Sequence, residues 1–411
     1  MSVVFLFHRD LRLVDHGGLE AVSEFLQVYR KESPEKEELH VIPLFVFTPT
    51  QVSRNPYKSL PSIQFMIDSL EDLGEDVGNA GGTLRLAYGD TVEVLRGVKD
   101  LVAVFETRDY TPFAKKREAD IQAFADKAGI FYEAVDDLYL NAPGTVLNGS
   151  KKTFQKFTPF WEQAKKRPVA KPKAAPKLPW SKQGVPHSMS LAEMRRRLVP
   201  TRLVDVRKGG RKEGLKTLAA IPRNYTETHD RLDAPTSHLS AHNHFGTVSI
   251  REVYWATGQE AFRRQLYWRD FYGHIMAAFE DLYKVGVWEF QAPTKWRKGE
   301  KEIFTAWSKG ETGVELVDAG IREMLRTGFM HNRARMVVAS WLIKDKGVQW
   351  RWGERFFAQH LVDYDPAQNM MNWIWVASVL PFASAPFRRH DPERSAERFD
   401  SDRVYRNLWL K

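Results

Sequence analysis

The first 140 residues alternate short, almost wholly apolar runs with stretches in which apolar side chains return every three or four positions. Residues 3–7, 40–47, 83–88, 101–106 and 130–134 have the first pattern and predict buried strands. Residues 18–29, 59–73, 91–98 and 111–128 have helical spacing and fall between them. Strands this apolar, separated by helices, predict a parallel sheet covered on both faces, an α/β domain of Rossmann-like type. No G-x-G-x-x-G follows the first strand and no P-loop is present, which argues against a dinucleotide dehydrogenase or a P-loop ATPase. Beyond Ser190 the strand pattern stops. Residues 191–198, 215–220, 249–257, 260–283, 303–308, 314–327, 331–346, 352–359 and 372–379 favour helix and predict an all-α second domain. The expected division is an α/β domain at 1–140, a connector at 141–200 and a helical domain at 201–411.

Composition narrows this picture. The 411 residues are 43% hydrophobic and 27% charged, as in a soluble globular protein. With no cysteine there is no disulfide and no thiolate metal site. No apolar run approaches about 20 residues, so no membrane span is expected. The N-terminus leads straight into a strand without a signal-peptide profile, which predicts an intracellular protein, cytoplasmic or nuclear.

The net charge of +9 is unevenly spread. Residues 1–162 carry 18 Lys and Arg against 25 Asp and Glu, whereas 163–411 carry 43 against 27. Eleven of the 13 tryptophans lie at or beyond Trp255. The basic half is either chance surface composition or an electrostatic footprint for a phosphate-rich partner, and the second is favoured. Residues 163–192 hold no acid, seven basic side chains and prolines at 168, 172, 176, 179 and 186. Proline at that density predicts an extended connector, with a supplementary DNA contact as the alternative.

Three sets of residues carry candidate chemistry. Helical spacing puts Asn332, Arg335 and Met336 on one face, with Arg333 beside them. Asp363, Asp365, Asn369, Trp373 and Trp375 follow about 30 residues on. Arg335 paired with Asp363 or Asp365 is either a structural ion pair or part of a cofactor site, the second being favoured by the surrounding amides and indoles. Gln265, Trp268 and Tyr272 form a helical stripe that is either core or a reader of a flat heterocycle. Thr236-Ser237-His238-Leu239-Ser240 has the hydroxyls and backbone N–H groups of a phosphate cradle, a pattern that a helix cap shares.

Together these sets resemble the photolyase/cryptochrome family over essentially the whole chain. Phe7-His8-Arg9-Asp10-Leu11-Arg12 is similar to the family's F-R-x-D-L-R, with His8 in place of arginine. Thr158-Pro159-Phe160 and Trp268-Arg269-Asp270-Phe271-Tyr272 resemble T-P-F and W-R-E-F-Y. Gly328 to Arg333 matches G-W-M-H-N-R with Phe329 for tryptophan, and Asp363 to Trp375 matches D-x-D-x-x-x-N-x-x-x-W-x-W.

The resemblance implies a DNA-binding flavoprotein that uses FAD and light. By it, Thr236, Ser237, His238, Leu239 and Ser240 would cradle the FAD phosphates, with Tyr225 nearby. Arg335 would pair with Asp363, and Asp363 with Asp365 would hold the flavin and adenine edges. Asn369 would face flavin N5. Trp373, Trp350 and Trp296 would carry electrons from the surface. Trp268 and Trp375 would wall a pocket for a flipped-out lesion faced by Asn332, Arg333 and Met336. Gln265, Arg269 and Asn332 would reach both cofactor and DNA. An antenna chromophore of folate or flavin type would belong to the α/β domain, with no segment deciding between them. The absence of cysteine excludes the family's iron–sulfur members.

The implied partner is DNA containing UV-induced pyrimidine dimers, met by a monomer. Asn332 favours cyclobutane dimers, because (6-4) photolyases resemble one another in carrying histidine there. Gln265, where cyclobutane enzymes usually have glutamate, favours the (6-4) alternative. Met371-Asn372 and His229 are further departures from the family pattern. A cryptochrome-type photoreceptor without repair activity is the rival from another class.

Overall fold

The computed structural model describes residues 1–32, 35, 37–279, 299–378 and 388–411. Five parallel strands, β1 (Ser2–Phe7), β2 (His40–Phe47), β3 (Arg85–Tyr88), β4 (Leu101–Thr107) and β5 (Phe131–Val135), form one sheet in the order β3-β2-β1-β4-β5. The helices of this part are α1 (Gly17–Glu32), α2 (Pro49–Val52), α3 (Leu60–Asn79), α4 (Thr91–Arg96) and α5 (Pro112–Ala128). Alternate side chains of β1 serve opposite faces, as strand geometry requires. Val3, Phe5 and Phe7 pack with Leu19 of α1 and Phe65 of α3, while Val4 and Leu6 pack with Val94 of α4 and Ile121 of α5. The fold is the doubly covered α/β sheet that the apolar runs predict.

The connector is extended, and it is ordered along the sheet edge. Val41 bridges to Trp180, Ala87 bridges to Ser188, and Met189 N donates to Leu86 O at 2.9 Å. The short edge strand β3 is thereby covered, which removes an open template for pairing with another chain. Helices α6 (Phe157–Ala164) and α7 (Leu191–Leu198) lie on either side of the proline-rich stretch.

The remainder is helical among the described residues: α8 (Arg211–Ala219), α9 (Tyr225–Thr228), α10 (Ser240–Phe245), α11 (Ile250–Trp255) and α12 (Glu260–Ala278). Then come α13 (Glu300–Lys309), α14 (Glu315–Thr327), α15 (Asn332–Ser340), α16 (Trp350–His360), α17 (Pro366–Ala377), α18 (Pro392–Phe399) and α19 (Val404–Trp409). Several boundaries shift by a few residues, and two changes matter most near the site. The single helix expected over 331–346 ends at Ser340 and widens into a π turn, Trp341–Asp345, which lets Trp341 and Leu342 both enter the core. The helix expected from residue 372 begins six residues earlier, where Asp365 caps the chain and Pro366 takes the first turn. No helix among the described residues is long and apolar enough to cross a membrane.

The sheet's switch point lies between β1 and β4, where the strand order reverses. Open α/β sheets bind ligands in the crevice outside the carboxyl ends of the strands there. Here the second part of the chain enters that crevice. Leu11 N donates to Phe245 O at 3.0 Å, and Arg12 Nη1 donates to Gly246 O at 3.2 Å. Gly246 has φ +61°, and a Cβ on it would stand 2.2 Å from Arg9 O, so the close approach needs glycine.

Candidate functional site

His331 begins α15, its ring Nδ1 accepting Arg333 N at 3.1 Å. One turn on, Arg335 Nη2 donates to both oxygens of Asp363 at 2.8 and 3.1 Å, and its Nε donates to Met330 O at 2.8 Å. The expected pairing of Arg335 is therefore with Asp363.

Asp365 has different partners. One oxygen caps α17 by accepting Gln368 N at 3.0 Å, and the other meets Arg9 Nη2 from the α/β part. Arg9 also donates to Asp109 Oδ2 at 3.3 Å and to His244 O at 3.2 Å. Burial opposes ionisation of Asp365, but Arg9 and then His244 outweigh it and hold the carboxyl well below the usual range. One oxygen of Asp365 thus caps its own helix while the other joins the two parts through Arg9.

Asn369 is held from behind by a residue that sequence reasoning missed. Its Nδ2 donates to Glu354 O at 3.1 Å and to Glu354 Oε1 at 3.0 Å. A backbone carbonyl can only accept, so the amide is oriented with Oδ1 turned away from Glu354. Glu354, on α16, is 1% exposed. Burial pushes its carboxyl up to about 7, against the opposing hydrogen bond from Asn369 and the charge of Arg351. Tyr57, from the segment before α3, faces the same carboxyl. The available signal was a glutamate four residues after Trp350 on the apolar side of a helix.

The Thr236–Ser240 segment forms the turn into α10. His238 takes the left-handed conformation at φ +49°, with its ring 4.7 Å from Phe329. Thr236 Oγ1 and His238 Nδ1 are buried and lack a hydrogen-bond partner among the described residues. Burial pushes His238 down to about 4, with Arg207 adding to the effect, so the ring is neutral at pH 7. Leu239 is buried and Ser240 exposed. Tyr225 stacks on His229 at 5.1 Å and meets Phe262 edge-on at 5.1 Å.

On α12, Gln265 is exposed and Trp268 lies flat against Phe157, with ring centroids 3.6 Å apart and planes within 8°. Asn332 is exposed and reaches Met336 Sδ at 3.9 Å. Arg333 is paired with Asp230 at 2.6 Å. Trp375 is half-buried under the Arg388 guanidinium, 4.9 Å from its ring centroid. Arg269 is turned inward. It is 9% exposed, donating to Leu138 O and, at 3.3 Å, to Asn243 O, which ties α12 to the end of the α/β part. Trp350 and Trp373 are each 2% exposed, and Trp296 lies outside the described residues.

Comparisons with known proteins bear on both parts. A family described as "DNA photolyase" matches residues 3–178, and one described as "FAD binding domain of DNA photolyase" matches residues 262–411. A deoxyribodipyrimidine photo-lyase of Streptomyces griseus is 34% identical, covering 100% of this chain and 90% of its own. One from Alkalihalophilus pseudofirmus is 30% identical, with 98% and 86% covered. The chain belongs to the DNA photolyase family.

Solved photolyases share its fold. An archaeal photolyase from Sulfolobus tokodaii, solved with two FAD molecules, has TM-score 0.87 and 32% identity, covering 100% of this chain and 90% of its own. A class III photolyase from Agrobacterium tumefaciens has TM-score 0.86 and 31% identity, with 100% and 86% covered. From α12 onward this photolyase is thus an FAD-binding domain. The residues present fit that cofactor. Thr236 Oγ1 and His238 Nδ1 are buried polar atoms in need of partners, and Asn369 Oδ1 is an oriented acceptor.

Proposed function

We propose that this photolyase uses light to split cyclobutane pyrimidine dimers in DNA. The observation that carries the reading is the lesion-facing end of α15, where Asn332, and no histidine, stands exposed beside Met336. That the similar proteins of Streptomyces griseus and Alkalihalophilus pseudofirmus are deoxyribodipyrimidine photo-lyases supports it. Bound FAD supplies the light-excited electron donor, and the protein positions and tunes it. Thr236, Ser237, His238 and Ser240 hold its phosphates, and Asn369 presents a carbonyl to the ring. Trp268, backed by Phe157, offers a flat face on which a flipped-out dimer can stack, at an unpairing cost of a few kcal/mol. Gln265, exposed one turn before Trp268, can both donate to and accept from thymine edges.

The basic second half contacts phosphates on either side of the lesion, so log Kd should rise steeply and linearly with log salt. Gln265 favours a second reading, repair of (6-4) lesions. Illuminating the reduced, FAD-loaded protein with oligonucleotides bearing either lesion separates the readings. Restored bases from the cyclobutane dimer alone are expected. Restoration from neither, with FAD bound, overturns the repair reading and leaves a photoreceptor.

A further inference from the structure

Arg333 follows Asn332 at the start of α15, beside the exposed face that Asn332 and Met336 present. Its guanidinium is already engaged. Nε donates to Asp230 Oδ1 at 2.8 Å and Nη2 to Asp230 Oδ2 at 2.7 Å, a fork-on-fork pair. Arg333 is 28% exposed, so an anion from solution can reach it. A phosphodiester offers two free oxygens to a guanidinium, as a carboxylate does. Asp230 therefore holds the place that a DNA phosphate would take.

Loss of Arg333 would leave Asp230 charged and partly buried without its cation, which is unfavourable. A replacement lies next to it. His229 Nε2 is 3.4 Å from Asp230 Oδ1, and His229 Nδ1 is 2.9 Å from Tyr225 O. A carbonyl only accepts, so Nδ1 carries the hydrogen, and Nε2 of a neutral ring turns its lone pair toward the carboxylate. Protonation puts a hydrogen on Nε2, aimed at Asp230. Tyr225 keeps the ring in this orientation by stacking on it, at 5.1 Å and 20°.

The other groups around the pair hold one charge near neutrality. Burial pushes His238, His331 and His390 down to about 4 and Tyr225 up to about 12. Arg398 shares the Phe399 ring with Arg333, and Arg231 is forked onto Asp233. Arginine stays protonated, whereas imidazole is the side chain that exchanges protons in this range.

We infer that DNA binding at this site swaps partners: a backbone phosphate takes Arg333 from Asp230, and His229 takes up a proton and replaces it. The inference rests on the reading that a DNA lesion docks against Asn332 and Met336. One proton moves, from water or buffer to His229 Nε2, while Asp230 stays ionised and Arg333 stays protonated. Asp230 and His229 are thus positioning residues that set the pH dependence of DNA binding, and Arg333 is the phosphate contact.

Titration calorimetry tests this on the full-length, FAD-loaded protein with a duplex carrying a cyclobutane dimer, in the dark. Runs in buffers of different ionisation enthalpy count the protons taken up. About 0.5 proton or more is expected near pH 7, with Kd rising about threefold from pH 6.5 to 7.5. Asp230→Asn, His229→Gln and Arg333→Met should each abolish the uptake, because each removes one party to the exchange. Asp233→Asn, which breaks the neighbouring Arg231 fork, should leave it intact. Asp230→Asn should also bind the duplex severalfold tighter at pH 7.5, since no carboxylate then competes. Binding without proton uptake, uptake that persists in Arg333→Met, or weaker binding by Asp230→Asn overturns the swap. Native protein that does not prefer the dimer-bearing duplex to an undamaged one overturns the functional reading instead.

Discussion

Glu354→Gln should make the protein more stable, and only at high pH. The native carboxyl is 1% exposed and pushed up to about 7 by burial, from an ordinary value of 4.5. A raised carboxyl pKa means that the folded state binds the proton more tightly than the unfolded chain. The penalty is therefore absent below the unfolded value, grows as pH rises through the window between 4.5 and about 7, and is complete above it. At about 1.36 kcal/mol per pKa unit, its full size is about 3 kcal/mol. Glutamine keeps an Oε1 acceptor for Asn369 Nδ2 and has no charge to bury. Equilibrium urea unfolding of native and variant protein, at fixed FAD concentration, checks this at pH 5 and pH 8. The variant should match the native protein within about 1 kcal/mol at pH 5 and exceed it by about 3 kcal/mol at pH 8. Asp270 and Glu323, also pushed up to about 7 by burial, titrate alike in both proteins and cancel in the difference. A difference in stability that does not change with pH would refute the burial argument.

Gly353→Ala drives a methyl group into the ring of Trp373, from which it would stand 2.2 Å. An overpacking loss of about 1–3 kcal/mol is expected, read as a lower unfolding midpoint with weakened FAD retention. Arg9→Met leaves Asp365 and Asp109 buried without their shared cation. Breaking such a pair costs about 3–5 kcal/mol. Because ionised Asp365 needs Arg9, the loss should be full at neutral pH and shrink on acidification, which unfolding curves across pH will show.

Much of this was legible from local pattern. The run at residues 3–7 is apolar at every position because β1 is central and covered on both faces. The proline-rich stretch was readable as extended, since proline removes the donors that helices and sheets require. A buried charge needs a partner, which narrowed that of Arg335 to Asp363 or Asp365, and the family resemblance singled out Asp363. What escaped depends on distant contacts or very short elements. Glu354 lies on the apolar side of its helix in sequence, but its partners Asn369 and Tyr57 come from distant elements that no local pattern joins to it. Helices α9 and α10, of four and six residues, are too short to show a period. Arg9 and Asp365 meet across a sequence separation of 356, and no local rule connects them.

That span has a consequence in the order of synthesis. Chains emerge from the ribosome at about 5–20 residues per second, so Asp365 appears roughly 20–70 s after Arg9, from which 356 residues separate it. The sheet has all five strands long before then. Arg9 must wait with water in place of its final carboxylate while the socket at the end of β1 stays open. Closure of that socket and orientation of the segment carrying Asp363 and Asn369 are thus one late event. The nascent protein sets the segment of Asp363 and Asn369 in place only after that second, distant stretch has been made.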